Sequence, residues 1–83
     1  MKRIYIKAFN KLTKMGVPVY EHHDDNGNFS ISAEDEGSSN WVNYYDGARV
    51  WGDSIKPELR DTLIGMGLFA EWHNPGRLSV YQI

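Results

Sequence analysis

The chain contains no cysteine. That single absence excludes disulfides, thiolate nucleophiles and thiolate metal sites together. It predicts a protein of the reducing cytoplasm. No apolar run approaches the roughly 18–20 residues that a membrane span needs. The start, MKRIYIKAFNK, lacks the apolar stretch and small-residue cleavage site of a signal peptide. Neither a membrane nor a cofactor is expected. With 83 residues, 41% of them hydrophobic and 24% charged, the chain has the material for one small folded domain, residues 1–83. A domain this short buries only about 60% of its unfolded surface. Self-association through an exposed hairpin edge would supplement so thin a core.

Charge of one sign is missing from whole stretches. Residues 1–16 hold Lys2, Arg3, Lys7, Lys11 and Lys14 and no acid. Residues 17–48 hold Glu21, Asp24, Asp25, Glu34, Asp35, Glu36 and Asp46 and neither lysine nor arginine. The remainder balances, so a net charge of −2 conceals blocks of +5 and −7. Either the two blocks neutralise each other across the fold, or one of them is a partner surface.

Ile4, Ala8, Leu12 and Met15 recur at helical spacing, widened by Tyr5 and Phe9, with Lys7, Lys11 and Lys14 on the other side. They predict an amphipathic helix over about residues 3–15, ended by Gly16 and Pro18. The rival is a strand over Arg3–Lys7. Two strands follow, Val17–His22 and Phe29–Ala33, around the turn signal Asp24-Asp25-Asn26-Gly27-Asn28. A three-residue loop over Asp25–Gly27, with Gly27 left-handed, would set Val19 opposite Ala33 and keep both on one face. Residues 34–40, EDEGSSN, read as a flexible acidic connection. Trp41–Tyr45 and Ala48–Trp51 flank Asp46-Gly47 and read as a hairpin, with Val42 opposite Trp51 and Tyr44 opposite Arg49 in cation–π range. Pro57 opens a second helix that buries Leu59, Leu63 and Met66, with Asp53 or Ser54 near its cap. Leu68–His73 and Arg77–Ile83 form a last hairpin around Asn74-Pro75-Gly76. The order α-β-β-(β-β)-α-β-β defines an α+β fold, an antiparallel sheet of hairpins with two helices on one face.

Motifs of catalysis are scarce. Gly65-Met66-Gly67 follows a helix rather than opening one, so it is no phosphate loop. No serine sits in a nucleophile elbow. Glu21-His22-His23-Asp24-Asp25 carries imidazoles and carboxylates that suit a metal-dependent hydrolase. Yet neighbouring strand residues point to opposite faces. His23 and Asp25 could share a face, and His73 could join them from the last hairpin, though a catalytic zinc needs three protein ligands. The basic N-terminal helix offers Lys2, Lys7, Lys11 and Lys14 to phosphates. It offers no exposed arginine for reading bases, and the chain is acidic overall.

The stretch from Glu34 to Asp53 interleaves acids and rings: Glu34, Asp35, Glu36, Trp41, Tyr44, Tyr45, Asp46 and Trp51. Tyrosine and tryptophan bury large area at low entropic cost, which makes them interface anchors as well as core residues. Carboxylates around them would steer a basic partner. In size, absent cysteine, α+β hairpin pattern and this acidic-aromatic stretch, the chain resembles small orphan proteins of phages and mobile elements, including the anti-CRISPR inhibitors. The resemblance spans the whole chain and transfers no individual residue. It implies a non-enzymatic protein that binds a larger protein or ribonucleoprotein at a basic groove. The five basic residues before Gly16 depart from the most acidic members. The expected anchors are Trp41, Tyr44, Tyr45 and Trp51, with Glu34, Asp35, Glu36 and Asp46 as steering charges.

Overall fold

The computed structural model describes residues 2–21 and 28–83. Helix α1 spans Arg3–Met15, and Gly16 ends it in the left-handed region at φ 90°. Glycine enters that region without steric cost, and the cap lets the Val17 N–H reach the Leu12 carbonyl at 3.0 Å. The predicted stripe is the buried one. Tyr5, Ala8 and Leu12 are buried, and Ile4, Phe9 and Met15 pack beside them.

Strand β1 (Val19–Glu21) pairs antiparallel with β2 (Phe29–Ser32), with Val19 opposite Ile31. That register lies two residues from the expected partner, Ala33. An even slip keeps every side chain on its expected face. The register is fixed where the Ser32 N–H donates to the Pro18 carbonyl at 2.8 Å, while the Ala33 N–H continues toward the other neighbour, the Gly76 carbonyl, at 2.9 Å. The loop and Gly27 lie outside the described residues.

The predicted middle hairpin does not form. In its place comes a short helix α2 at Gly47–Trp51, and the connection before it, expected to be flexible, contains a 3-10 turn at Ser38–Asn40. Asn43 Oδ1 accepts the N–H groups of Tyr45 and Asp46 at 3.2 and 3.0 Å, and the Asn43 carbonyl accepts the Gly47 N–H. This Asx turn starts a helical turn where Asp46-Gly47 had read as a hairpin tip. Gly52, at φ 78°, ends α2. Val42 therefore bridges Ile55 rather than Trp51.

Helix α3 spans Pro57–Gly65 and buries Leu59 and Leu63. Neither Asp53 nor Ser54 caps it; the cap position is Lys56, with no side-chain bond. Strands β3 (Leu68–Asn74) and β4 (Arg77–Gln82) close the last hairpin, and β4 also pairs with β2. The fold is α+β, with an antiparallel sheet in the order β1-β2-β4-β3.

Alternation and register put Phe29, Ile31, Leu78, Val80 and Leu68 on one sheet face. There they share a core with Ala8 and Leu12 of α1 and Leu59 and Leu63 of α3. Phe9 meets Phe29 edge to face at 5.5 Å. Both long helices thus cover the same face. The opposite face carries Tyr20, Ser30, Ser79, Phe69 and Tyr81, with small serines on the two central strands.

Two glycines make opposite predictions. A β-carbon on Gly47 would stand 2.7 Å from Ser54 Cα and 2.8 Å from the Asp53 carbonyl oxygen. Both are backbone atoms, so Gly47→Ala is expected to cost about 1–3 kcal/mol by overpacking. Gly65 is helical and has open space around it. Gly65→Ala is expected to gain about 0.4–1 kcal/mol. Urea titration of both variants measures the difference, and equal midpoints would refute the close approach at Gly47.

Candidate functional site

The stretch between β2 and α3 is held by a small backbone frame. The Asn43 N–H donates to the Ser54 carbonyl and the Lys56 N–H to the Trp41 carbonyl, each at 2.8 Å. Val42 and Ile55 plug this frame into the core. The chain from Asn43 to Ser54 is thereby thrown outward as a loop containing α2.

The four predicted anchor rings are divided by this arrangement. Tyr44 and Tyr45 are exposed, Tyr45 at 78%. Trp41 and Trp51 are half-buried. Trp41 packs against the core, and Lys56 Nζ stands 4.9 Å from its ring centroid. The expected cation–π pair of Tyr44 and Arg49 is replaced by an ion pair of Arg49 with Asp46 at 3.5 Å. Tyr44 instead meets Tyr45 and Trp72, edge to face, each at 5.2 Å between centroids. The Trp72 Nε1–H donates to Ser54 Oγ at 2.7 Å. A ladder of three rings thus runs outward from β3 to the surface. Trp72 is the member that sequence reading missed. Its alternation with Leu68 and Ala70 marked a core-side residue, and nothing local marked it as the base of a surface cluster.

The acidic run is also more ordered than its composition implies. Ser32 Oγ accepts the N–H groups of Glu34 and Asp35, both at 3.2 Å. The Ser38 N–H returns to the Asp35 carbonyl, and Gly37 turns the chain at φ 83°. Glu34, Asp35 and Glu36 stay exposed. Among the described residues none of them forms an ion pair, with α1 or elsewhere. Glu34 lies against Gly76, in the space where a β-carbon would sit. Glu34 and Asp35 border a cavity of about 430 Å³ together with Tyr20, Ser32, Asn74, Gly76 and Arg77. The acids and the ring ladder therefore meet different neighbours.

The basic residues Lys2, Arg3, Lys7, Lys11 and Lys14 are all exposed, so the helix does present an exposed arginine, Arg3 in its first turn, contrary to the expectation. Residues 22–25 of the candidate metal cluster lie outside the described part of the chain. Among the described residues no three histidine, aspartate or glutamate side chains gather to hold an ion, and His73 is exposed. No described helix is long and apolar enough to cross a membrane. No family model matches the chain, and no curated protein or solved structure is significantly similar to it.

If Tyr44 is an outward ring and Trp72 its support, their substitutions separate. Trp72→Phe keeps a ring but loses the bond to Ser54, which is expected to cost about 1 kcal/mol. Tyr44→Ala is expected to cost under about 1.5 kcal/mol, the range of an aromatic pair. A loss at Tyr44 in the 2–5 kcal/mol range of a buried aliphatic truncation would make it a core residue. Denaturant unfolding of both variants decides.

Proposed function

We propose that this protein is a non-enzymatic binding module that occludes a basic surface on a larger partner, in the manner of the anti-CRISPR inhibitors. One observation carries the reading: Tyr44 and Tyr45 are exposed, yet Tyr44 is held edge to face on Trp72 and Tyr45 edge to face on Tyr44. Rings held in place before binding lose little entropy when a partner covers them, which is the economy of an interface anchor. They do not complete the core, which closes beneath them through Val42 and Ile55. The exposed carboxylates of Glu34, Asp35 and Glu36, unpaired among the described residues, supply the field that attracts a basic partner. Asp46 shares its charge with Arg49 and belongs to the rim of the patch. Trp41 packs against the core and Trp51 is half-buried, so the anchoring falls to the two tyrosines.

A tagged protein offered a lysate of its host is expected to retain a basic protein or ribonucleoprotein. The pair Tyr44→Ala with Tyr45→Ala should lower retention at least tenfold at unchanged circular dichroism. Charge reversal of Glu34, Asp35 and Glu36 should slow association and flatten its salt dependence. Undiminished retention by the tyrosine pair would overturn the reading.

A second reading has its own observation. The five basic residues of 1–16 are exposed and have no ion-pair partner among the described residues. An accessory nucleic-acid protein would use them, and its duplex binding would fall by about 10³–10⁵ between 50 and 200 mM salt if six to ten phosphates were contacted. Five charges on one helix give a smaller slope. Retention of labelled duplex at physiological salt, lost on charge reversal of Lys7, Lys11 and Lys14, would favour this reading over the first.

A further inference from the structure

The two edges of the sheet are unlike. On β1 the strand is only three residues long and follows Pro18. Its Val19 N–H is already given to the Val17 carbonyl at 2.9 Å. A short edge with its donor spent is a poor template for another strand. At the other edge, β3 runs for seven residues, Leu68–Asn74, without proline or lysine. Its first irregularity falls between Trp72 and Asn74.

The direction of its backbone groups follows from one bond. The Ile83 N–H donates to the Gly67 carbonyl at 2.9 Å. In an antiparallel ladder the bonded positions alternate. Phe69 and Glu71 therefore turn their N–H and C=O toward β4, and Leu68, Ala70 and Trp72 turn theirs to the free edge. No backbone bond from another described element reaches Ala70 or Trp72 there.

A groove of about 330 Å³ lies along this edge. Its walls are Arg60, Leu63 and Ile64 of α3 and residues 53–55, and it touches Phe69, Ala70, Glu71 and Trp72 in succession. Side chains of consecutive strand residues alternate between faces. Four in a row can border one groove only where it follows the backbone edge. Apolar side chains flank that edge on both faces, Ile64 at 53% exposure on the helix side and Phe69 at 40% on the other.

We propose that β3 is a dimerisation edge, on which β3 of a second copy of this chain pairs antiparallel about Ala70 to make one eight-stranded sheet. Charge and register select this occupant. Asp53 and Arg60 on the groove wall neutralise each other. That leaves Glu71, among the described residues, as the one unpaired charge on an otherwise apolar edge, and the antiparallel register below sets it opposite Phe69 of a second copy rather than opposite another carboxylate. Ala70 is the midpoint of the regular run Leu68–Trp72. A two-fold axis there sets Leu68 opposite Trp72 of the second copy, and Phe69 opposite Glu71. Shifting the axis to Glu71 would oppose two carboxylates, which is destabilising. The small side chain at Ala70 leaves room on the axis. A second strand would cover Ile64 and Phe69 at once, adding the burial that an 83-residue domain lacks.

The chain's freedom from cysteine makes a direct test available. Residues opposed in a bonded antiparallel pair have Cα atoms about 5.5 Å apart, within the range a disulfide spans. Mild oxidation of Ala70→Cys should give a cross-linked dimer, and the same treatment of Tyr20→Cys on β1 should not. Light scattering of the unmodified protein should give twice 9.6 kDa, falling toward the monomer on dilution. Ile64→Lys with Phe69→Lys should weaken self-association at least tenfold, and Tyr44→Ala with Tyr45→Ala should leave it unchanged. If Ala70→Cys does not fold, amide exchange of the unmodified protein replaces it, with Ala70 and Trp72 slowing as concentration rises. A monomer at millimolar concentration, a dimer that cross-links through Tyr20→Cys instead, or protection of Ala70 and Trp72 only by a foreign extended peptide would each overturn the proposal.

Discussion

Gly47 lies so close to the backbone of Asp53 and Ser54 that no side chain fits between them. On that contact the whole middle of the molecule depends. It lets residues 47–51 coil into a helix and still return to the frame in which Asn43 bonds Ser54 and Trp41 bonds Lys56. The frame presses Val42 and Ile55 into the core and leaves Tyr44 and Tyr45 above it. It also brings Ser54 Oγ within reach of the Trp72 indole, which fixes the base of the ring ladder. A β-carbon at position 47 would have to open the frame, and the exposed tyrosines would lose their support before any partner arrived.

The parts that could be read from the chain are those specified by neighbours in sequence. Helix α1 has the expected span because one stripe of residues and one terminal glycine, all within 14 positions, determine it. The last hairpin was legible for the same reason: Asn74 Oδ1 accepts the Gly76 N–H, so the turn is closed by residues two apart. The middle segment was not, although alternation and Asp46-Gly47 imitate a hairpin. Its helix is chosen by the Asn43 side chain, by Gly52 at the far end and by the backbone of Ser54. The last acts across seven positions from Gly47 and has no local signature. Of the candidate site, the exposure of Tyr44 and Tyr45 agreed with the acidic-aromatic pattern. The half-burial of Trp41 and the support from Trp72 depend on tertiary neighbours.

Charge segregation takes a different form once the fold is in view. The expectation of mutual neutralisation required contacts between α1 and the acidic run, and no such ion pair exists among the described residues. The ion pairs present there are local: Asp46 with Arg49, Glu58 with Lys56, Asp53 with Arg60. Partly exposed pairs of this kind add little to stability. Among the described residues, ion pairing between the two blocks therefore does not account for the separation of sign. The exposed carboxylate run, whose backbone is ordered at its start by Ser32, keeps its negative charge at one place on the surface, where it contributes to the long-range field.

Trp72 joins the two surfaces that the chain leaves open. Its ring supports Tyr44 on one side, and its backbone faces the free edge of β3 on the other. A strand added at that edge would press on the groove that Trp72 borders, and a partner seated on Tyr44 would press on its ring. The two occupants would meet different atoms of Trp72, one its ring and the other its backbone. Two copies joined through β3 would then carry two ring ladders related by a two-fold axis. A bivalent binder gains avidity only where both of its sites can be engaged at once. Pairing at β3 would thus convert a single small patch into a paired one without any change in the patch itself.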